Sequence, residues 1–346
     1  MLKIVDLGYG REALSRQYET ETMSSRLFYG LAQLRDRYAV RHVSLSSAGG
    51  VRSFVVNNIR ALTRCDVLYV TYFFHTSLVL LALLRRLGLF RRRKIIVISH
   101  KTLRPVGVLQ RMVFSTLDHV FFHSQKNLDE SVAAGAVAQE RCAFLCWGDD
   151  LDYIDAHLHP RQGDFFLSTG REQRDYPTLI AAFAETDAHL QLFTNRVNYA
   201  NNYEYLEAEQ QQHPNIQIEF VDNQQATTRM LVEKAASCLC VVNPLLQGEI
   251  SYCVGLTSIV EAMALGKPVI STANPYSPVD IEGECIGFVV TDKDSWVRAV
   301  NYLNTHRDEA LEMGRRARRL AEQQFNIKAC ADQLDQCISR FFARKD

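Results

Sequence analysis

Twelve short runs rich in Val, Ile, Leu and Phe, each followed by a helical pattern, constrain this chain more than any other feature. The first series is LKIVDL (2–7), RHVSL (41–45), DVLYVT (66–71), KIIVIS (94–99), HVFFHS (119–124) and CAFLCW (142–147). The second is FFLSTG (165–170), LQLFT (190–194), IQIEFV (216–221), SCLCVV (237–242), KPVIST (267–272) and IGFVV (286–290). Most are continuously apolar rather than alternating, as expected of strands buried on both faces of a parallel sheet. Helices between parallel strands imply right-handed crossovers, so two doubly wound, Rossmann-like α/β domains are predicted. No internal repeat or low-complexity tract competes with that reading.

A length of 346 residues exceeds one ordinary core and suits two domains of roughly 150 to 180 residues. The polar segment DDLDYIDAHLHPRQGD (149–164), with Pro160 and Gly163, separates the two series. The expected division is a first domain over 1–160 and a second over 161–325, with 326–346 read as a terminal helix. Ligands of open α/β sheets sit at the carboxyl ends of strands. Two such sheets facing each other across a cleft would place a site there.

Apolar residues form 47% of the chain and charged residues 23%, a soluble globular profile, and the net charge of zero provides no global field for nucleic acid. The nine cysteines are odd in number and lie mostly in apolar stretches such as CLCVV. No pair has CxxC spacing, and Cys142 and Cys146 lack a second ligand pair at zinc-finger distance, so reduced, buried thiols are expected. The N-terminus runs directly into a strand pattern, and the longest apolar run, LVLLALL (78–84), is far short of the roughly 20 residues of a spanning helix. A cytoplasmic protein is expected. The segment HTSLVLLALLRRLGLFRRRK (75–94) nevertheless joins an apolar helix to Arg85, Arg86, Arg91, Arg92, Arg93 and Lys94. That combination suits peripheral contact with an anionic membrane on its inner face, and equally a core helix with a solvated basic end.

The most informative motif is GLTSIVEAMALGKPVIST (255–272). A glycine loop opens a helix that ends at Gly266, before Pro268 starts a buried strand. The N–H groups of Gly255, Leu256, Thr257 and Ser258 at that helix start would form an anion site suited to a diphosphate. Glu261, about a turn further on, is placed to accept from two vicinal hydroxyls such as those of a ribose. An ordinary helix with Thr257 or Ser258 as cap and Glu261 as a solvated acid fits the same letters.

This string resembles the C-terminal signature of the retaining GT-B glycosyltransferases grouped as family 4, where two acids eight positions apart flank a helix start in an EAMA-G-PVI context. The resemblance extends from about 165 to 325 and more weakly over the N-terminal half. It implies that 1–160 binds the acceptor, that 161–325 binds the nucleotide sugar, and that the helix in 326–346 packs back on the first domain. It implies a hexosyltransferase-like enzyme that moves a sugar from a nucleotide diphosphate sugar to a glycan, a lipid-linked molecule or another hydroxyl acceptor, with retention. No metal or other cofactor is implied, because the cations are borne by the protein, and Asp149-Asp150 makes a poor metal motif. A non-catalytic partner subunit, a sugar-nucleotide epimerase or a glycosyl phosphorylase on the same fold are the alternatives.

The resemblance assigns further residues. Gly170-Arg171, after a strand, and Arg174, aligned through Leu179-Ile180 with a family lysine, correspond to the cations that hold the donor diphosphate. Cations placed there stabilise charge on the leaving group. His100 matches a strand-end histidine near the transferred sugar, and Ser124 and Gly148-Asp149 resemble further landmarks. Gly8 and Gly10 form a GxGxxA turn after the first strand, which weakly fits a dinucleotide fingerprint. The second strand ends Ser44-Leu45-Ser46 without the ribose-binding acid of a dehydrogenase, so the turn is expected to border the cleft near donor or acceptor. Asn195 replaces a common glycine and leaves the base open. Cys253 stands where the family's sugar-contacting acid is usual, and a thiol cannot make that charge-assisted bond. Glu249, in QGEISYCVG, is the expected substitute.

Overall fold

A computed structural model describes residues 1–8, 10–44, 63–71, 78–198, 201–221, 224–248 and 250–343. The chain divides into two compact units, one of Met1–Trp147 with Ile327–Asp346 and one of Gly148–Asn326. The segment 148–160, expected in the first domain, thus counts with the second.

The first unit is built from β1 (Lys3–Gly8), α1 (Arg11–Glu19), β2 (Ala39–Ser44), β3 (Val67–Val70), α2 (Val79–Arg86) and β4 (Lys94–Ser99). It continues with α3 (Val108–Ser115), β5 (His119–Phe122), α4 (Gln125–Ala133) and β6 (Cys142–Phe144). Its six strands are all parallel, in the order β2-β1-β3-β4-β5-β6. The second unit contains α5 (Leu151–His157), β7 (Phe165–Thr169), α6 (Tyr176–Phe183), β8 (His189–Thr194) and a short hairpin of β9 (Val197–Asn198) and β10 (Asn201–Asn202). There follow α7 (Leu206–Gln212), β11 (Ile216–Phe220), α8 (Gln224–Ala236), β12 (Cys240–Asn243), α9 (Leu256–Ala264), β13 (Val269–Thr272) and β14 (Gly287–Val290). Helices α10 (Lys293–Thr305) and α11 (Arg307–Gln323) complete it. Its main sheet is also parallel throughout, in the order β11-β8-β7-β12-β13-β14. The final helix, α12 (Ile327–Phe342), belongs to the first unit.

Each of the twelve apolar runs became a strand of one of these two sheets. The central ones are covered on both faces, so every position is buried: Val67–Val70 and Val269–Thr272 are buried throughout. The helices start where the sequence supplies caps. Ser124 accepts from Asn127 N, Asp150 from Tyr153 N and Asp175 from Thr178 N, and Asp292 with Ser295 forms a capping box on α10. The terminal helix is tied down by polar contacts as well as packing. Asp335 accepts from Tyr38 Oη at 2.6 Å and from Arg37, and Gln333 Oε1 accepts from Cys146 N at 2.9 Å.

Both sheets reverse direction of growth once, between β1 and β3 in the first unit and between β7 and β12 in the second. Such switch points open a crevice at the carboxyl ends of the strands, where doubly wound proteins bind ligands. At the first, Asp6 is fully buried and accepts from Arg11 Nε at 2.8 Å, with His42 Nδ1 also at 2.8 Å. That network was not foreseen from the sequence. All nine cysteines are free and seven are buried. No helix of the described residues is long and apolar enough to cross a membrane.

Candidate functional site

The switch point of the second unit gathers most of the residues the sequence singled out. Strand β7 ends at Thr169, and Gly170 follows with φ of 140°, a left-handed conformation that favours glycine. A Cβ at Gly170 would collide with the Arg174 guanidinium, so the missing side chain lets that group fold back under the loop. Tyr176 Oη (2.8 Å) and Thr194 Oγ1 (2.9 Å) both donate to the Gly170 carbonyl. Arg174 N donates to Tyr203 Oη at 3.3 Å, and that hydroxyl lies 3.3 Å from the Arg171 carbonyl. The loop 170–174 is therefore held from several sides.

Arg171 is exposed, whereas Arg174, matched with it as a cation that holds the diphosphate, is only 5% exposed. Arg174 Nη1 donates to the Glu172 carbonyl at 2.8 Å and Nη2 to that of Thr169 at 3.5 Å. Nε is buried with no hydrogen-bond partner, and the guanidinium forms no ion pair among the described residues. Burial lowers its pKa from the ordinary arginine value, while Tyr176, Tyr203, Tyr252 and Glu172 act in the opposite direction. A desolvated cation held in no ion pair is costly unless an anion joins it.

The 173–175 strip runs beside the end of β12. Leu246 N donates to Gln173 O at 3.0 Å, Asp175 N to Pro244 O at 3.3 Å, and Arg174 bridges Leu245. Strand β12 ends in Asn243, fully buried, whose Nδ2 donates to Ser271 Oγ at 3.0 Å while its Oδ1 has no partner. Directly over that amide sits Gly255, with φ of 83°, at the start of α9. The arginine loop and the helix N-terminus are thus joined through the end of one strand. Sequence reasoning missed Asn243, although a polar residue closing the buried run CVV was a signal.

Not all four amides proposed at that helix start are open. Leu256 N donates to Cys253 O at 3.1 Å and Ser258 N to Gly255 O at 3.1 Å, leaving Gly255 and Thr257 as the open donors among the described residues. Neither Thr257 nor Ser258 caps the helix, since no side-chain cap is made. Glu261 is buried on α9 rather than solvated. Asn274 Nδ2 donates to the carbonyls of Tyr252 and Val254, both at 3.2 Å, and fixes the loop that leads into the helix. Gly255→Ala would place a Cβ inside the Asn243 amide and force alanine into a left-handed conformation. The expected cost is about 2 kcal/mol or more, measured by urea denaturation.

Other expected residues fall at varied places. Asn195 follows β8 and is half-buried. Cys253 is buried and its thiol is pushed up to about 12 by desolvation, so it packs as a neutral group. Glu249 lies outside the described residues. In the first unit Gly8 ends β1 beside Thr71, and Gly10 caps α1 with φ of 62°. His100 follows β4, half-buried, with its ring centroid 5.1 Å from that of His123 and 6.0 Å from Tyr29. Burial first, then His100, push the pKa of His123 well below the ordinary imidazole value. Ser124 serves as the cap of α4. Gly148 and Asp149 run against Phe325 and Asn326, and Asp149 and Asp150 are engaged in their own turn and cap. Among the described residues no group of three or more His, Cys, Asp or Glu is placed to hold a metal ion.

No protein-family model matches the chain. No curated protein matches it in sequence either. Solved structures do match in shape. A glycosyltransferase from Rickettsia africae superposes with a TM-score of 0.71 at 13% identity over 99% of both chains. AviGT4, a glycosyltransferase involved in avilamycin A biosynthesis, gives 0.61 at 17% identity over 99% of both. A UDP-GlcNAc 2-epimerase from Neisseria meningitidis, bound to UDP-GlcNAc, gives 0.59 at 8% identity over 98% of this chain and 100% of that one. At such identities the likeness establishes the fold: two Rossmann-like domains of the GT-B type, an architecture that carries glycosyl transfer in some of these proteins and epimerisation in another.

Proposed function

We propose that this chain is a glycosyltransferase that takes a sugar from a nucleoside-diphosphate sugar and passes it, with retention, to a hydroxyl of a glycan or lipid-linked acceptor. The observation that carries the reading is Arg174: a buried guanidinium with no ion pair among the described residues, on a loop that meets the end of β12 at a switch point, where the start of α9 also sits. An anionic group seated there would satisfy Nε and the open amides of Gly255 and Thr257 together.

In the proposed reaction the bond between the anomeric carbon and the diphosphate oxygen breaks. The acceptor oxygen bonds to that carbon, and its proton passes to the departing diphosphate. Charge grows on the diphosphate, where Arg171, Arg174 and the α9 amides stabilise it without reorganising. Glu261 anchors the ribose, Asn195 borders the base, and Gly170 allows the backbone close approach. From the first unit, His100 and the Gly8–Gly10 turn are the groups assigned to the transferred sugar and the acceptor, and Glu249 to the sugar hydroxyls. The scheme requires no metal.

Epimerisation is the second reading, favoured by the 2-epimerases that share the fold over the whole chain. Incubation with UDP-, GDP-, ADP- and dTDP-sugars separates the two. Transfer predicts nucleotide release that depends on a hydroxyl acceptor. A new epimer formed from donor alone would replace that reading with the second.

A further inference from the structure

Seven of the ten large apolar side chains exposed among the described residues lie between Leu80 and Leu109. They form two groups on the first unit. Leucines 80, 83, 87 and 89 follow the outer side of α2 and the turn after it, and Val106, Val108 and Leu109 stand at the start of α3, which packs beside α2. Leu87 is 77% exposed, Val106 86% and Val108 81%. The second group sits on an ordered turn: Val106 N donates to Gln110 Oε1 at 2.8 Å, Arg111 N to Gly107 O at 3.1 Å and Leu103 N to Ser131 Oγ at 2.8 Å. Fixed backbone thus holds the valines out into solvent. Clustering of this kind marks an interaction surface rather than scattered surface leucines.

The charge of the same stretch is one-sided. Residues 67–117 contain nine Lys and Arg and no Asp or Glu. Flanking acids neutralise part of it. Asp118 pairs with Arg85 (2.8 Å) and Lys94 (3.5 Å), Asp66 with Arg93 (3.3 Å) and Glu130 with Arg104 (3.5 Å). Arg86, Arg91 and Arg92 are exposed and have no carboxylate partner among the described residues. Arg93, grouped with them on sequence, is instead tied to Asp66 and to the carbonyls of Thr63 and Cys65.

We propose that this face, from α2 to the 104–109 turn, docks the protein on an anionic lipid bilayer, with Leu87, Leu89, Val106 and Val108 entering the interface and Arg86, Arg91 and Arg92 meeting the head groups. Apolar side chains beside unpaired cations are the complement of such a surface. The inference rests on neither the diphosphate site nor sugar transfer.

Flotation of the full chain with vesicles tests it. At low salt the protein is expected to bind phosphatidylcholine vesicles containing phosphatidylglycerol, to ignore phosphatidylcholine alone and to be released by added salt. Arg86→Gln, Arg91→Gln and Arg92→Gln together should lower partitioning about 100-fold, at about 1 kcal/mol for each cation. Val106→Ser with Val108→Ser should weaken binding at unchanged charge. Since all of these side chains are exposed, the thermal midpoint of each variant should match the parent. A parent that ignores anionic vesicles at low salt, or binding unaltered in both variants, would overturn the proposal. So would a dimer in solution that Leu87→Ser dissociates while vesicles go unbound, which would make the face a contact between copies of the chain.

Discussion

Arg174→Met is expected to lower kcat/KM for sugar transfer by about 10²- to 10³-fold, the loss usual when one preorganised donor to a developing oxyanion is removed. The effect should fall mainly on kcat, because the charge on the diphosphate is greatest in the transition state. Folding should respond quite differently. Methionine fills similar space without a charge, and it removes a buried guanidinium that forms no ion pair among the described residues. Against that stands the loss of the bonds to Glu172 O and Thr169 O. These opposing terms leave the midpoint of unfolding near that of the parent. If transfer were intact, Arg174 would be a loop brace only. A variant that failed to fold would show instead that the guanidinium is a structural pin, and Arg174→Lys, which keeps the charge, would then separate the two roles by its activity.

Glu261→Ala is expected to weaken nucleoside-diphosphate binding by about 100-fold or more. A carboxylate that accepts from two vicinal hydroxyls makes two charge-assisted bonds, and each contributes about 1.5–3 kcal/mol. The position favours the interaction, since Glu261 is buried on α9 and its bonds would be little screened by water. Loss of affinity alone does not identify the sugar ring as the partner. The 2′-deoxynucleotide supplies that control: it should bind the parent more weakly than the ribonucleotide does, and the difference should shrink in Glu261→Ala. An undiminished difference in the variant would move the ribose contact to another residue.

The two sheets were legible because parallel strands covered on both faces write themselves as unbroken apolar runs; KIIVIS coincides with β4 to the residue. The hairpin of β9 and β10 was not, since two-residue strands carry no period. The helix start at Gly255 was readable from its glycine and the EAMALGKPV context, and the structure placed it over Asn243. Burial of Arg174 was not readable. It depends on Tyr176, Tyr203 and Tyr252, which are far apart in sequence and meet around the guanidinium only once the sheet has formed. The basic run at 85–94 showed its sign in the sequence but not its pairing. Asp66 and Asp118, just before the strands on either side of β4, decide which of those arginines remain open.

The central claim, that a diphosphate completes the site around Arg174 and the α9 N-terminus, is tested most directly by calorimetric titration of UDP, GDP, ADP and dTDP into the parent and into Arg174→Met. The account predicts that at least one of these nucleotides binds the parent, that its monophosphate binds distinctly more weakly, and that this advantage of the second phosphate disappears in the variant. No binding of any diphosphate to the parent, or an advantage of the second phosphate that survives in Arg174→Met, would contradict it.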